Sequence, residues 1–268
     1  MLENLWLKRL CINSKRAAVV NRKWARNTAE KLGEAINKEN HDQFWSILNP
    51  ILDTKVPFPL LDEIGRLLGE AGEHNDPSKY FGVFDTVIAT DKIGGYVIVG
   101  QALSAFLETE LEASINKATE IVKKGQKWYV CDIVGERVLG QALVAHFEST
   151  VPLLKQKTAL KDQEVRRSIG VAVHFFAKRR PEDSKEMKKL LQLLDFLVED
   201  RRVYVVKGVG WGLKTIGKHQ PKLVEDYLEK TLQTKRISKL MLRKATKYLG
   251  EETKEKLVER WEHKTWSK

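Results

Sequence analysis

Residues 60–71 read LLDEIGRLLGEA. Leu60, Leu61, Ile64, Leu67, Leu68 and Ala71 recur at i, i+3, i+4 and i+7, the spacing that gathers apolar side chains on one side of an α-helix. The same period runs through MKKLLQLLDFLVED at 187–200, with Met187, Leu190, Leu191, Leu194 and Leu197. It returns in PKLVEDYLEKTL at 221–232, with Leu223, Val224, Tyr227, Leu228 and Leu232. Alternating strand patterns are scarce. YVIVG at 96–100 is β-branched, but it runs straight into QALSAFLETELEASI and is read as helix.

Breakers punctuate the chain at Pro50, Pro57–Pro59, Asn75–Pro77, Gly94–Gly95, Pro152, Pro181 and Pro221. The intervals suit ordinary helices, roughly twelve to fourteen of them. No Ser-, Gly- and Pro-rich linker interrupts them, and the chain is read as one helical domain over 1–268. There is no strict sequence repeat. Helix pairs nevertheless recur every ~35–45 residues, as in HEAT-like or armadillo-like solenoids. In such arrays each helix buries one face against its neighbours, and the inner helices line a concave surface. An irregular all-α bundle is the alternative.

Of the 268 residues, 42% are hydrophobic and 31% charged, enough apolar material for a continuous core. No apolar run reaches the ~18 residues of a membrane span. Glu3, Lys8 and Arg9 interrupt the apolar start, unlike a secretory signal, so a cytoplasmic protein is expected. Cys11 and Cys131 lack metal-type spacing and are read as buried free thiols. The six histidines form no cluster, so neither metal nor cofactor is expected.

The net charge of +11 is unevenly spread. Residues 151–268 hold 29 Lys+Arg against 16 Asp+Glu, a balance of +13, whereas residues 1–150 come to −2. Such asymmetry suits a polyanionic partner, nucleic acid before anionic lipid. A well-solvated Lys-rich surface is the bland alternative.

Three segments carry candidate chemistry. In KWYVCDIVGERVLGQALVAHF, Trp128, Asp132 and Glu136 fall at i, i+4 and i+8, stacking on one helix face. A carboxylate below an indole is neither core nor ordinary surface. The plain alternative is a core-capping Trp128 and an Asp132 solvated or paired with Arg137. In KDQEVRRSIGVAVHFFAKRR, Arg166 and Arg167 open an apolar helix. Adjacent residues point about 100° apart, so one of them faces any given site. A guanidinium there suits bidentate phosphate binding, or else a salt bridge to Asp162 or Glu164. In DRRVYVVKGVGWGLKTIGKHQPKLV, Gly208, Gly210 and Gly212 surround Trp211. Each costs a helix roughly 1 kcal/mol against alanine. Their bareness serves close packing or the approach of a ligand to the indole. Lys207 and Lys214 lie near it.

In this order the segments resemble the bacterial alkylpurine DNA glycosylases built of HEAT-like repeats, the AlkC/AlkD-type superfamily. The match is Trp-x-x-x-Asp (Trp128, Asp132) with a Leu-Gly helix end (Leu139–Gly140), then an Arg (Arg167), then K-x-x-G-W-x-L (Lys207 to Leu213). ISKLMLRKATKYL at 237–249 resembles the closing repeat. The resemblance covers about residues 110–250 and leaves the helices of 1–95 without a role. It implies an all-α, right-handed α-solenoid of HEAT-like helix pairs with a concave basic face. It further implies a monofunctional, monomeric DNA glycosylase, without metal, acting on duplex DNA that contains N3- or N7-alkylated, cationic purines. Asp132 becomes the electrostatic and water-positioning group. Trp128 and Trp211 flank the sugar, and Arg167 or Arg166 holds backbone phosphate. Lys207, Lys214, Arg243, Lys244 and Lys247 are further phosphate contacts. The competing readings are a non-catalytic DNA-binding paralogue and a protein-binding scaffold.

Overall fold

The computed structural model describes residues 20–263; Cys11 and the start of the chain lie outside the described residues. The described part is helical throughout. In chain order the elements are α1 (Arg22–Asn37), α2 (His41–Leu52), α3 (Phe58–Glu73), α4 (Pro77–Ala89), α5 (Ile93–Ala105), α6 (Leu111–Gly125) and α7 (Trp128–Val134). A π-helical turn, Gly135–Gly140, carries α7 without a break into α8 (Gln141–Ala145). There follow α9 (Phe147–Thr158), α10 (Gln163–Arg179), α11 (Ser184–Leu194), α12 (Val203–His219), α13 (Pro221–Thr234), α14 (Lys239–Ala245) and α15 (Glu251–Glu262). With α7 and α8 joined, the described residues form fourteen continuous helices, within the expected number.

The breakers act by position. Pro77 and Pro221 open α4 and α13, where a missing N–H costs nothing. Pro57 precedes the first residue of α3. Pro50 and Pro152, read as boundaries, instead sit inside α2 and α9, and Gly94–Gly95 lie in the first turn of α5. The two glycines are buried, whereas both prolines lie on the exposed side of their helices. The segment at 96–100 is helical and wholly buried within α5, as its uninterrupted continuation suggested.

Alternate helices pack side by side. One row runs α1, α3, α5, α7 with its π turn, α10, α12 and α14. The helices between them cover its other side, and one hydrophobic cluster runs from Ala25 to Leu257. The first residues of α3, α5, α7 and α10 are 58, 93, 128 and 163, a step of 35 residues, and α12 follows after 40. A glycine recurs seven residues into each: Gly65, Gly100, Gly135, Gly170 and Gly210. This glycine is the one identity the five helices share, while the positions around it vary. At Gly170 the reason is plain, since a Cβ would overlap the backbone of Gly208 and Val209 in α12. Only bare backbone lets these two helices approach so closely.

Candidate functional site

Trp128 is the first residue of α7 and is 57% exposed, so it does not cap the core. Its ring meets Tyr129 edge-on at 5.8 Å. One turn later Asp132 receives two hydrogen bonds from Arg167 of α10, Nε to Oδ1 and Nη2 to Oδ2, each 3.0 Å. Arg137, the partner considered for Asp132, goes instead to Asp62. Arg167 is buried, and its stem crosses the bare backbone of Gly208, where a Cβ would lie 2.8 Å from Cγ. Its guanidinium sits 5.5 Å from the Tyr204 ring centre.

The two arginines diverge, as their 100° offset requires. Arg166 turns away, donating to the Leu160 carbonyl at 2.7 Å and to Asp200 at 2.9 Å. The partners expected from proximity in sequence, Asp162 and Glu164, take neither.

Leu139–Gly140 does not end the helix; it closes the π turn, and the rod continues to Ala145. The π turn begins only at Gly135, and Glu136 stays close enough to Asp132 for the two carboxylates to repel. The Glu136 carboxylate lies 3.9 Å from His174 Nε2 on α10. Burial raises the pKa of Glu136, and the Asp132 carboxylate adds to the rise, against the pull of Arg137 and Lys178.

His174 stacks on Trp211 with ring centres 3.9 Å apart and planes 22° from parallel. The Thr215 hydroxyl donates to the Trp211 carbonyl at 3.0 Å. The same hydroxyl oxygen lies 2.6 Å from His174 Nδ1, within hydrogen-bond reach. Burial lowers the His174 pKa to about 4, helped by Lys178 and Lys214, so the ring is neutral at pH 7. No hydrogen bond or ring contact among the described residues joins Trp128 or Asp132 directly to Trp211. The connection runs through α10, by way of Arg167 over Gly208 and His174 under Trp211. The sequence reading passed over His174, Thr215 and Tyr204. A lone histidine seven residues after Arg167 was their only signal.

Beyond Trp211 lies a cleft of about 470 Å³ lined by Lys214, Arg243, Lys244, Thr246, Lys247 and Lys254. The Lys244 stem crosses bare Gly210, where a Cβ would lie 2.7 Å from Cδ. Burial lowers the Lys244 pKa, and so do Lys214, Lys207, Arg167 and Arg243. Lys214 and Lys247 each hold their ammonium near the Tyr248 ring, 5.8 and 6.0 Å from its centre. Among the described residues, Lys207, Lys214, Arg243, Lys244 and Lys247 have no carboxylate partner, so their repulsion is uncompensated within the described fold.

Fold and site together define an all-helical protein that presents a carboxylate, two indoles and a bank of unneutralised cations from one helix row. The sequence profile of the family described as DNA alkylation repair enzyme matches residues 64–249, most of the chain. The chain belongs to that family, and its role lies in DNA repair. A search of curated proteins finds no match. No described helix is long and apolar enough to cross a membrane.

Proposed function

We propose that this protein is a monofunctional DNA glycosylase that hydrolyses the N-glycosidic bond of N3- or N7-alkylated purines in duplex DNA. The observation that carries the reading is the Asp132–Arg167 pair, one turn from the exposed Trp128 and on the same row as the unpaired cations. An alkylated purine is cationic and already a good leaving group. Breaking its bond builds positive charge on the deoxyribose. A preorganised carboxylate stabilises that charge and positions the attacking water. Indole faces contribute by cation–π attraction, about 0.5–2 kcal/mol each.

In this reading Asp132 is the electrostatic group, Trp128 and Trp211 flank the sugar, and Arg167 shares itself between Asp132 and a backbone phosphate. The cations from Lys207 to Lys247 grip phosphates. The two-row packing and the 35-residue step support a single right-handed solenoid of HEAT-like repeats, with this face concave.

The test is release of 7-methylguanine or 3-methyladenine from methylated duplex DNA by the wild type and by Asp132→Asn. Release by the wild type and its loss in the variant are expected. No release by the wild type defeats the reading. One observation favours a second reading, a DNA-binding paralogue without catalysis: both Asp132 oxygens are already engaged. Salt-sensitive duplex binding without base release is its signature.

A further inference from the structure

The 35-residue step puts Phe58 and Asp62 of α3 where Trp128 and Asp132 stand in α7, 70 residues on. Phe58, like Trp128, is the first residue of its helix and is exposed, at 39%. Asp62, like Asp132, lies one turn later and is held by an arginine through two hydrogen bonds. Here Arg137 donates, Nε to Oδ1 at 2.7 Å and Nη2 to Oδ2 at 3.1 Å.

The arginine comes from a different register. Arg137 belongs to the π turn and reaches back over α5, where Gly100 leaves the backbone bare; a Cβ there would lie 3.4 Å from Arg137 Cδ. Its guanidinium ends 5.8 Å from the Phe58 ring centre. Its third nitrogen, Nη1, has no hydrogen-bond partner among the described residues. The repeat between them carries Ile93 and Val97 at the equivalent positions, so row packing does not require an aromatic–carboxylate pair. The arrangement occurs twice, on the same edge of the same row.

We propose that Phe58, Asp62 and Arg137 form a second contact for the sugar–phosphate backbone of duplex DNA. Phe58 lies against a deoxyribose, and Arg137, oriented by Asp62, offers Nη1 to a phosphate. The inference rests on the duplex substrate proposed above. Phe58 and Asp62 precede residues 64–249, so the family match does not assign them. Neighbouring helix axes lie about 8–10 Å apart, so two steps from α3 to α7 span about 16–20 Å. At 3.4 Å per base pair that is about five or six pairs from the Trp128 site.

The test uses three duplexes carrying one abasic-site analogue: one with long arms, and two cut to about three base pairs on one or the other side. Binding is read by fluorescence anisotropy for wild type, Phe58→Ala, Phe58→Tyr and Trp128→Ala. On the long duplex Phe58→Ala is expected to bind about five- to tenfold more weakly, with an unchanged thermal midpoint, while Phe58→Tyr binds like wild type. Cutting one of the two arms is expected to weaken wild type by the same factor and to abolish the effect of Phe58→Ala. Trp128→Ala should weaken all three alike. Equal binding by Phe58→Ala and wild type on the long duplex overturns the inference, as does a Phe58→Ala loss that ignores arm length. If wild type releases alkylated base while Phe58→Ala stays silent, this inference alone fails. If wild type binds no duplex, the glycosylase reading fails with it.

Discussion

Asp132 and Arg167 meet through two hydrogen bonds of 3.0 Å between α7 and α10, the acid side chain 19% exposed and the guanidinium 8%. The asymmetry decides which substitution hurts more. Removing the carboxylate strands a buried cation, whose remaining acceptor is the Tyr204 carbonyl at 3.4 Å. Leaving a buried charge uncompensated costs about 3 kcal/mol. Asp132→Ala is therefore expected to lose about 2–3 kcal/mol in urea unfolding at constant m. Asp132→Asn keeps one acceptor and should lose about 1 kcal/mol. Wild-type stability in Asp132→Ala would mean that the pair does not hold these helices together. The Asn variant is accordingly the better one for activity.

His174 makes stability depend on pH. Its pKa falls from 6.5 unfolded to about 4 folded. The unfolded state then binds more protons between these values, so stability rises with pH from about 4 to 6.5 and levels off above. The span corresponds to about 3 kcal/mol. Glu136, with its raised pKa, works the other way, losing stability as pH rises above 4.5. His174→Gln should flatten the slope between pH 4 and 6.5 in a series of urea midpoints. A slope equal to that of wild type would show that His174 is not held neutral against Trp211.

Glycine gives opposite outcomes at two helical positions. Gly170→Ala forces a methyl into the backbone of α12, and overpacking of this kind costs about 1–3 kcal/mol. Gly82, in α4, has open space where a Cβ would go. Gly82→Ala should stabilise by about 0.5–1 kcal/mol through helix propensity. Thermal melts of the two variants should shift in opposite directions. A neutral Gly170→Ala would argue against the tight crossing of α10 and α12.

Much of this was legible in the sequence because helical periodicity is a local signal. Leu61, Ile64 and Leu68 are buried as their spacing in 60–71 required. The Asp132–Arg167 pair was not legible, because its residues are 35 apart and nothing local links them. The helix-pair spacing was legible as a range of about 35–45 residues, but its regular 35-residue step was not, since only glycine recurs strictly while the side chains around it vary. The π turn was hidden as well. GERVLG has no composition that announces a wider turn. The divergence of Arg166 and Arg167 followed from helix geometry alone, but their partners needed the fold.

The last prediction concerns the cations around Trp211. Lys207, Lys214, Arg243, Lys244 and Lys247 repel one another without carboxylate partners among the described residues, and the lowered pKa of Lys244 reflects burial together with that repulsion. A DNA backbone relieves the repulsion and sheds its counterions, so affinity falls with salt at a log–log slope of about −0.9 per neutralised phosphate. Five contacts give about −4 to −5 for wild type. Lys207→Gln and Lys247→Gln should each make the slope shallower by about one and weaken damaged and undamaged duplexes equally, because phosphates carry no sequence or lesion information. Lys230→Gln, on the exposed side of α13 in the other row, should change nothing. The measurement is anisotropy titration at four or five salt concentrations. A slope that stays the same in Lys207→Gln and Lys247→Gln would remove these cations from the DNA interface, and a comparable change in Lys230→Gln would show that the charge acts only in bulk.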